Sequence, residues 1–179
     1  MKQLLNGFLG SMLLTIIWTA CQSKSVQPDD STSVTTDTHL DTMPRVTGIG
    51  GLFFYADDPA GLNQWYGENL GMKLDDYGAV FESRNANAPD SLNYLRWSSF
   101  PAQSDYFAPS SKPFMINYRV QYLERLVEQM KASGVTVLDT IAYYEYGKFV
   151  HIMDPEGNKI ELWEPVDGVL TKLGSPTNK

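Results

Sequence analysis

Apolar and polar positions alternate with two different periods along residues 46–165, and the two periods succeed one another in a fixed order. Residues 49–56 form a nearly continuous apolar run with aromatic members, which predicts a buried strand. Asp58 and Pro59 then offer an N-cap and a proline at the first helical position. Leu62, Trp65, Tyr66 and Leu70 follow at helical spacing, and Gly71 supplies the stop. Three short strand patterns come next, at residues 72–76, 79–83 and 94–98. A Pro/Ser-rich connector (101–113) separates this set from a second one. There, residues 114–120 predict a strand, and Leu123, Leu126, Val127 and Met130 define one apolar helix face ended by Gly134. Residues 135–139, 149–153 and 159–163 supply three more strands. One β-α-β-β-β order therefore occurs twice at an offset of about 65 residues, too long a period for a solenoid.

The last strand pair has the sharpest signal. Asp154-Pro155-Glu156-Gly157-Asn158 is a tight turn, with Pro155 fixing φ and Gly157 and Asn158 tolerating a positive one. Alternation through 159–163 places Ile160 and Leu162 on one face and Glu161 and Trp163 on the other. If helices cover the outer faces, the apolar phase of every strand points to them. That leaves Gly51, Phe53 and Tyr55, then Arg96 and Ser98, then Met115, Asn117 and Arg119, and finally Glu161 and Trp163 facing inward, with His151 beside them.

An apolar strand, the DPEGN turn and the following IEL resemble the end of the glyoxalase / bleomycin-resistance / extradiol-dioxygenase group, the vicinal oxygen chelate superfamily; the run through WEP is similar to its glyoxalase-like subgroup. With the repeat, the resemblance covers residues 46–165. It implies an α+β fold of two paired βαβββ modules forming a curved mixed sheet around a cleft. It also implies a metal site with one ligand, commonly His or Glu, from each of four strands. Carried over, these positions fall on Gly51, Arg96, Met115 and Glu161, with Asn93-Tyr94-Leu95-Arg96 matching Asn158-Lys159-Ile160-Glu161. Only Glu161 is a suitable ligand for a hard divalent ion, and adding His151 gives two where about three protein ligands are normal. The expectation is therefore no bound metal, with an Arg96–Glu161 ion pair in its place and Arg119 adding positive field.

The amino terminus reads differently. Lys2 is its only early charge, and residues 4–17 are largely apolar but short for a bilayer span. Trp18-Thr19-Ala20-Cys21 resembles a bacterial lipoprotein signal cleaved before Cys21, the chain's one cysteine, which would then carry lipid. Residues 1–20 are accordingly read as signal peptide and 21–45 as a Ser/Thr/Asp-rich flexible tether. Residues 46–167 are the glyoxalase-like domain and 168–179 a C-terminal tail. The resemblance implies attachment in the cell envelope, and Gln22 implies the outer membrane if the source is Gram-negative. After cleavage, 13 basic residues face 21 acidic ones, a net charge of −8 that argues against a nucleic-acid partner.

Glu161 and His151 are the candidate catalytic residues, and Arg96, Arg119, Asn117, Tyr55 and Trp163 the candidate ligand-binding set. Two arginines can grip an anion, and the aromatics a planar group. Gly48-Ile49-Gly50-Gly51 opens a strand rather than a helix, so it is no dinucleotide loop, and there is no GxSxG elbow. Three functions stay open at this point: metal-free binding of a small anionic or aromatic ligand, a metal-dependent glyoxalase-type lyase or dioxygenase, and an envelope interaction module with a vestigial cleft. Pairing into a homodimer is open as well.

Overall fold

Strand β1 (Arg45–Ala56) and strand β5 (Phe114–Gln121) run antiparallel at the centre of a nine-stranded sheet, and each begins one copy of the repeat. The computed structural model describes residues 42–85, 89–174 and 176–179. The residues read as signal peptide (1–20), Cys21 and most of those read as tether lie outside the described residues. After β1 come α1 (Pro59–Leu70), β2 (Leu74–Asp75), β3 (Gly78–Arg84) and β4 (Leu92–Pro101). After β5 come α2 (Leu123–Ala132), β6 (Thr136–Val137), β7 (Ala142–Tyr144), β8 (Gly147–Met153), β9 (Lys159–Pro165) and α3 (Asp167–Leu173). The order is β2-β3-β4-β1-β5-β9-β8-β6, with β7 also on β8. Strand β4 lies parallel to β1 as β9 lies parallel to β5, so the two modules are related by a pseudo-twofold at the β1/β5 seam. This is the predicted α+β pair of modules around a cleft.

Local chemistry explains the boundaries. The Asp58 carboxylate accepts from Gly61 N at 3.0 Å, Pro59 opens α1, and Gly71 closes it at φ 67°. Helix α2 has no cap of its own. Glu164 of β9 accepts instead from the Tyr122 and Leu123 amides at 3.2 and 3.0 Å, tying the helix to the final strand. Its apolar face is where the sequence puts it: Leu123 and Val127 bury against Val120, Val150, Ile152 and Leu162. Each such side chain contributes roughly 1.5–3 kcal/mol by leaving water. On the first module, Phe54 meets Trp97 and Trp97 meets Tyr66 of α1, with ring centroids 4.9 and 4.7 Å apart. In the β8–β9 turn, Asp154 accepts from the Glu156 and Asn158 amides and from Asn158 Nδ2, while Gly157 sits at φ 78°.

Two segments make contacts that the sequence reading did not give. In the C-terminal tail, α3 packs on β4, and Asn178 forms a parallel bridge with Phe81 of β3, beyond the end of two-residue β2. The Pro/Ser-rich connector is the other. It turns inward to bury Phe107 completely against Phe53 and Met115. Both depend on partners far away in sequence, which a local pattern does not carry.

Candidate functional site

Residues of β1, β3, β4, β8 and β9 line a cleft holding two cavities, of about 690 and 330 Å³. Glu161 and His151 border the larger one, and Arg96 borders both.

Glu161 is buried, with 4% of its surface exposed, and its charge is met from three directions. Asn117 Nδ2 donates to Oε1 at 2.6 Å, and the Tyr106 hydroxyl donates to Oε2 at 2.8 Å. His151 Nε2 reaches Oε2 at 3.0 Å, and its Nδ1 lies 2.6 Å from Asp139 Oδ2. Asp139 also accepts from the His151 amide at 2.8 Å, which fixes the ring's direction. An imidazole between two carboxylates can donate to both only as the imidazolium. Burial works to lower the His151 pKa, but its hydrogen bonds to Glu161 and Asp139 outweigh burial and raise it. Burial first, then the Glu161 charge beside it, pushes the Tyr106 hydroxyl far above its ordinary range, so it remains a donor. The site is thus a carboxylate–imidazolium–carboxylate row roofed by a tyrosine.

This corrects the expected Arg96–Glu161 pair. Arg96 instead holds Asp75, with Nη1 at 2.7 and 2.8 Å from the two carboxylate oxygens. Asp75 comes beside Arg96 through the β2–β3–β4 pairing and takes the guanidinium instead. In the register of the sheet, Gly51 is opposite Arg96 and Asn117 opposite Glu161. The same register places Asn117, not Met115, in the position equivalent to Gly51; Met115 is fully buried against Phe53 and Phe107.

Of the other candidates, Arg119, Tyr55 and Asn117 hold structural positions, and Trp163 stays at a cavity wall. Arg119 is 4% exposed, chelates Asp167 at the start of α3 at 2.8 and 2.6 Å, and lies over the Trp163 ring, 5.2 Å from its centroid. It borders neither cavity. The Tyr55 hydroxyl donates to Ser104 O at 2.7 Å and holds the connector. Asn117 serves Glu161, and its Oδ1 is buried without a hydrogen-bond partner among the described residues. Trp163 lines the smaller cavity and stacks on Phe149 at 5.8 Å. Sequence reasoning missed Tyr106 and Asp139. The only local signal for Asp139 is an acid ending a short strand pattern, and Tyr106 sits in a loop with none.

The four-strand metal set inherited by position does not fit this site. Gly51 offers no donor, Arg96 is a cation, Asn117 already serves Glu161, and both Glu161 oxygens are engaged. Among the described residues, no group of three His, Cys, Asp or Glu side chains converges on one point.

Two βαβββ modules closing on a cleft define the class. A family model described as the Glyoxalase/Bleomycin resistance protein/Dioxygenase superfamily matches residues 48–162, and the chain belongs to that superfamily. Among solved structures it is similar to a variant of Streptomyces coelicolor methylmalonyl-CoA epimerase in complex with 2-nitronate-propionyl-CoA, with TM-score 0.51, 11% identity, and 68% of this chain and 96% of that one covered. It is also similar to methylmalonyl-CoA epimerase from Mycobacterium tuberculosis, with TM-score 0.47, 20% identity, and 70% and 93% covered. The Mn(II)-bound glyoxalase from Novosphingobium aromaticivorans gives TM-score 0.47 and 13% identity, covering 68% of this chain and 40% of that one. Likeness at these identities is likeness of fold. No curated protein matches the chain.

Proposed function

We propose that this domain binds a small organic ligand, aromatic and anionic, in the larger cavity, without using a tightly held metal. The observation that carries the reading is the cavity wall. Phe53, Phe100, Tyr144, Tyr146 and Phe149 line it; its polar groups include Arg96 and Ser98 on one side and the Tyr106, Asp139, His151 and Glu161 row, already bonded within itself, on the other. A mostly apolar wall with a few placed donors is the usual composition of a ligand pocket, and its volume is ordinary for one. The His151 imidazolium satisfies the buried Glu161 charge, the role the family gives to a cation at that strand position. Sequestration in the manner of bleomycin-resistance proteins follows more directly from this arrangement than turnover, because both His151 nitrogens are occupied.

Titration calorimetry with benzoate and 3-phenylpropanoate tests the reading. Saturable binding that weakens at least tenfold in Arg96→Gln supports it, and no heat with either compound counts against it. The second reading, a metal-dependent glyoxalase-type lyase or dioxygenase, has one observation in its favour: Glu161 and His151 border the same cavity. Elemental analysis of the purified chain separates the two, since near-stoichiometric Zn, Mn, Fe or Ni selects the enzyme. The same proposal places the domain in a bacterial envelope, tethered through lipid on Cys21. Cys21→Ser would then release exported protein or leave an uncleaved precursor, and identical fractionation of the two forms would remove the anchor.

A further inference from the structure

The two cavities are one cleft divided across its length. Along the inner face of β4, Tyr94 borders the smaller cavity, Arg96 both, and Ser98 the larger. Along β9, Trp163 borders the smaller and Glu161 the larger. The chambers therefore lie end to end along the strands, and the residues common to both are Arg96 and Leu170. Leu170 comes from α3, which the pair between buried Arg119 and partly exposed Asp167 and a 3.0 Å bond between Tyr94 and Thr171 fasten to the sheet.

The chambers differ in chemistry. The larger one is walled by aromatic rings. The smaller one is lined on its apolar side by Val80, Leu92, Trp163 and Leu170, and its 330 Å³ suits a short aliphatic group. At the partition, Arg96 spends only Nη1 on Asp75. Nη2 and Nε have no hydrogen-bond partner among the described residues, and the side chain is 31% exposed. A guanidinium with its remaining fork open is suited to two-point capture of a carboxylate or similar acid.

Resting on the ligand-binding reading above, we infer that the ligand is an elongated amphiphile carrying its acidic group near the middle. Its planar or aromatic end occupies the larger chamber, the acid sits on Arg96, and an aliphatic arm passes Leu170 into the smaller chamber. A ligand with an aromatic end and acid alone leaves the second chamber unused.

The test is a series of 2-alkyl-3-phenylpropanoates (hydrogen, methyl, butyl, hexyl) titrated calorimetrically into the full chain. These place a carboxylate between a benzyl group and an alkyl arm. Affinity should rise about fourfold per methylene as the arm fills the smaller chamber, and the matching carboxamides should bind at least tenfold more weakly. Leu92→Trp, at a position that lines the smaller chamber and not the larger, should abolish the gain with arm length and leave 3-phenylpropanoate binding intact; Leu92→Phe serves if the larger ring unfolds the chain. Binding of 3-phenylpropanoate with no gain from longer arms overturns the two-chamber inference and leaves the larger site standing. A length dependence that survives in the folded Leu92 variant also overturns it. If no member of the series binds, both readings fall.

Discussion

His151 is the residue on which most of the site's electrostatics turn. Its folded-state pKa is raised, net of burial, by its bonds to Glu161 and Asp139, whereas in the unfolded chain it titrates near about 6.5. A raised pKa contributes stability that is fully present below the unfolded value and is lost as pH climbs through the folded one. The melting temperature should therefore decline as pH rises from about 6.5 through that folded value, and this limb should flatten in His151→Gln. His151→Ala leaves Glu161 buried without its cation and should cost about 3 kcal/mol at neutral pH, measured by denaturant unfolding. Gly157 is a simpler case. At φ 78°, with open space where a Cβ would stand, Gly157→Val suffers backbone strain without a clash, so a loss of roughly 1–2 kcal/mol is expected in the same assay. Residues like Gly157 were legible because their reason lies within five positions. Arg96 was not, because its partner Asp75 is met through the pairing of β2, β3 and β4.

At the scale of elements, strand phases could be read from alternation and the helices from spacing and caps. What could not be read was α3. Its attachment to Arg119 joins positions 119 and 167 through a side chain whose own strand gives no hint of a partner. Asp167→Ala removes both charged hydrogen bonds to a 4% exposed guanidinium. A cost of roughly 2 kcal/mol is expected, the Asp167 side chain being partly wet. Amide exchange should quicken over residues 167–173 and stay slow in β8 and β9, where the core cluster lies. Equal acceleration across β9 would show that α3 is not separately held. The connector was hidden for the same kind of reason: Tyr106 reaches Glu161 across 55 positions, while its own surroundings read as turn and proline.

For the molecule as a whole, the repeat in the sequence carries the architecture, and the differences between its halves carry the site. Pseudo-equivalent Arg96 and Glu161 each found a private counter-ion, Asp75 for one and His151 for the other, so neither half needs the other's charge. Purified protein should accordingly show no change in melting temperature on treatment with a chelator, and elemental analysis should find metal well below one equivalent. Asn178 has a further consequence. Its amide and carbonyl bond to Val80 and Glu82, and its side chain bonds to both the amide and carbonyl of Lys73, along the stretch of β3 that β2 is too short to cover. A bare row of strand amides and carbonyls is a template on which a second molecule can add. The last few residues therefore act as a guard against polymerisation: a chain ending at Gly174 should keep its central fold yet scatter light at concentrations where the full chain stays clear.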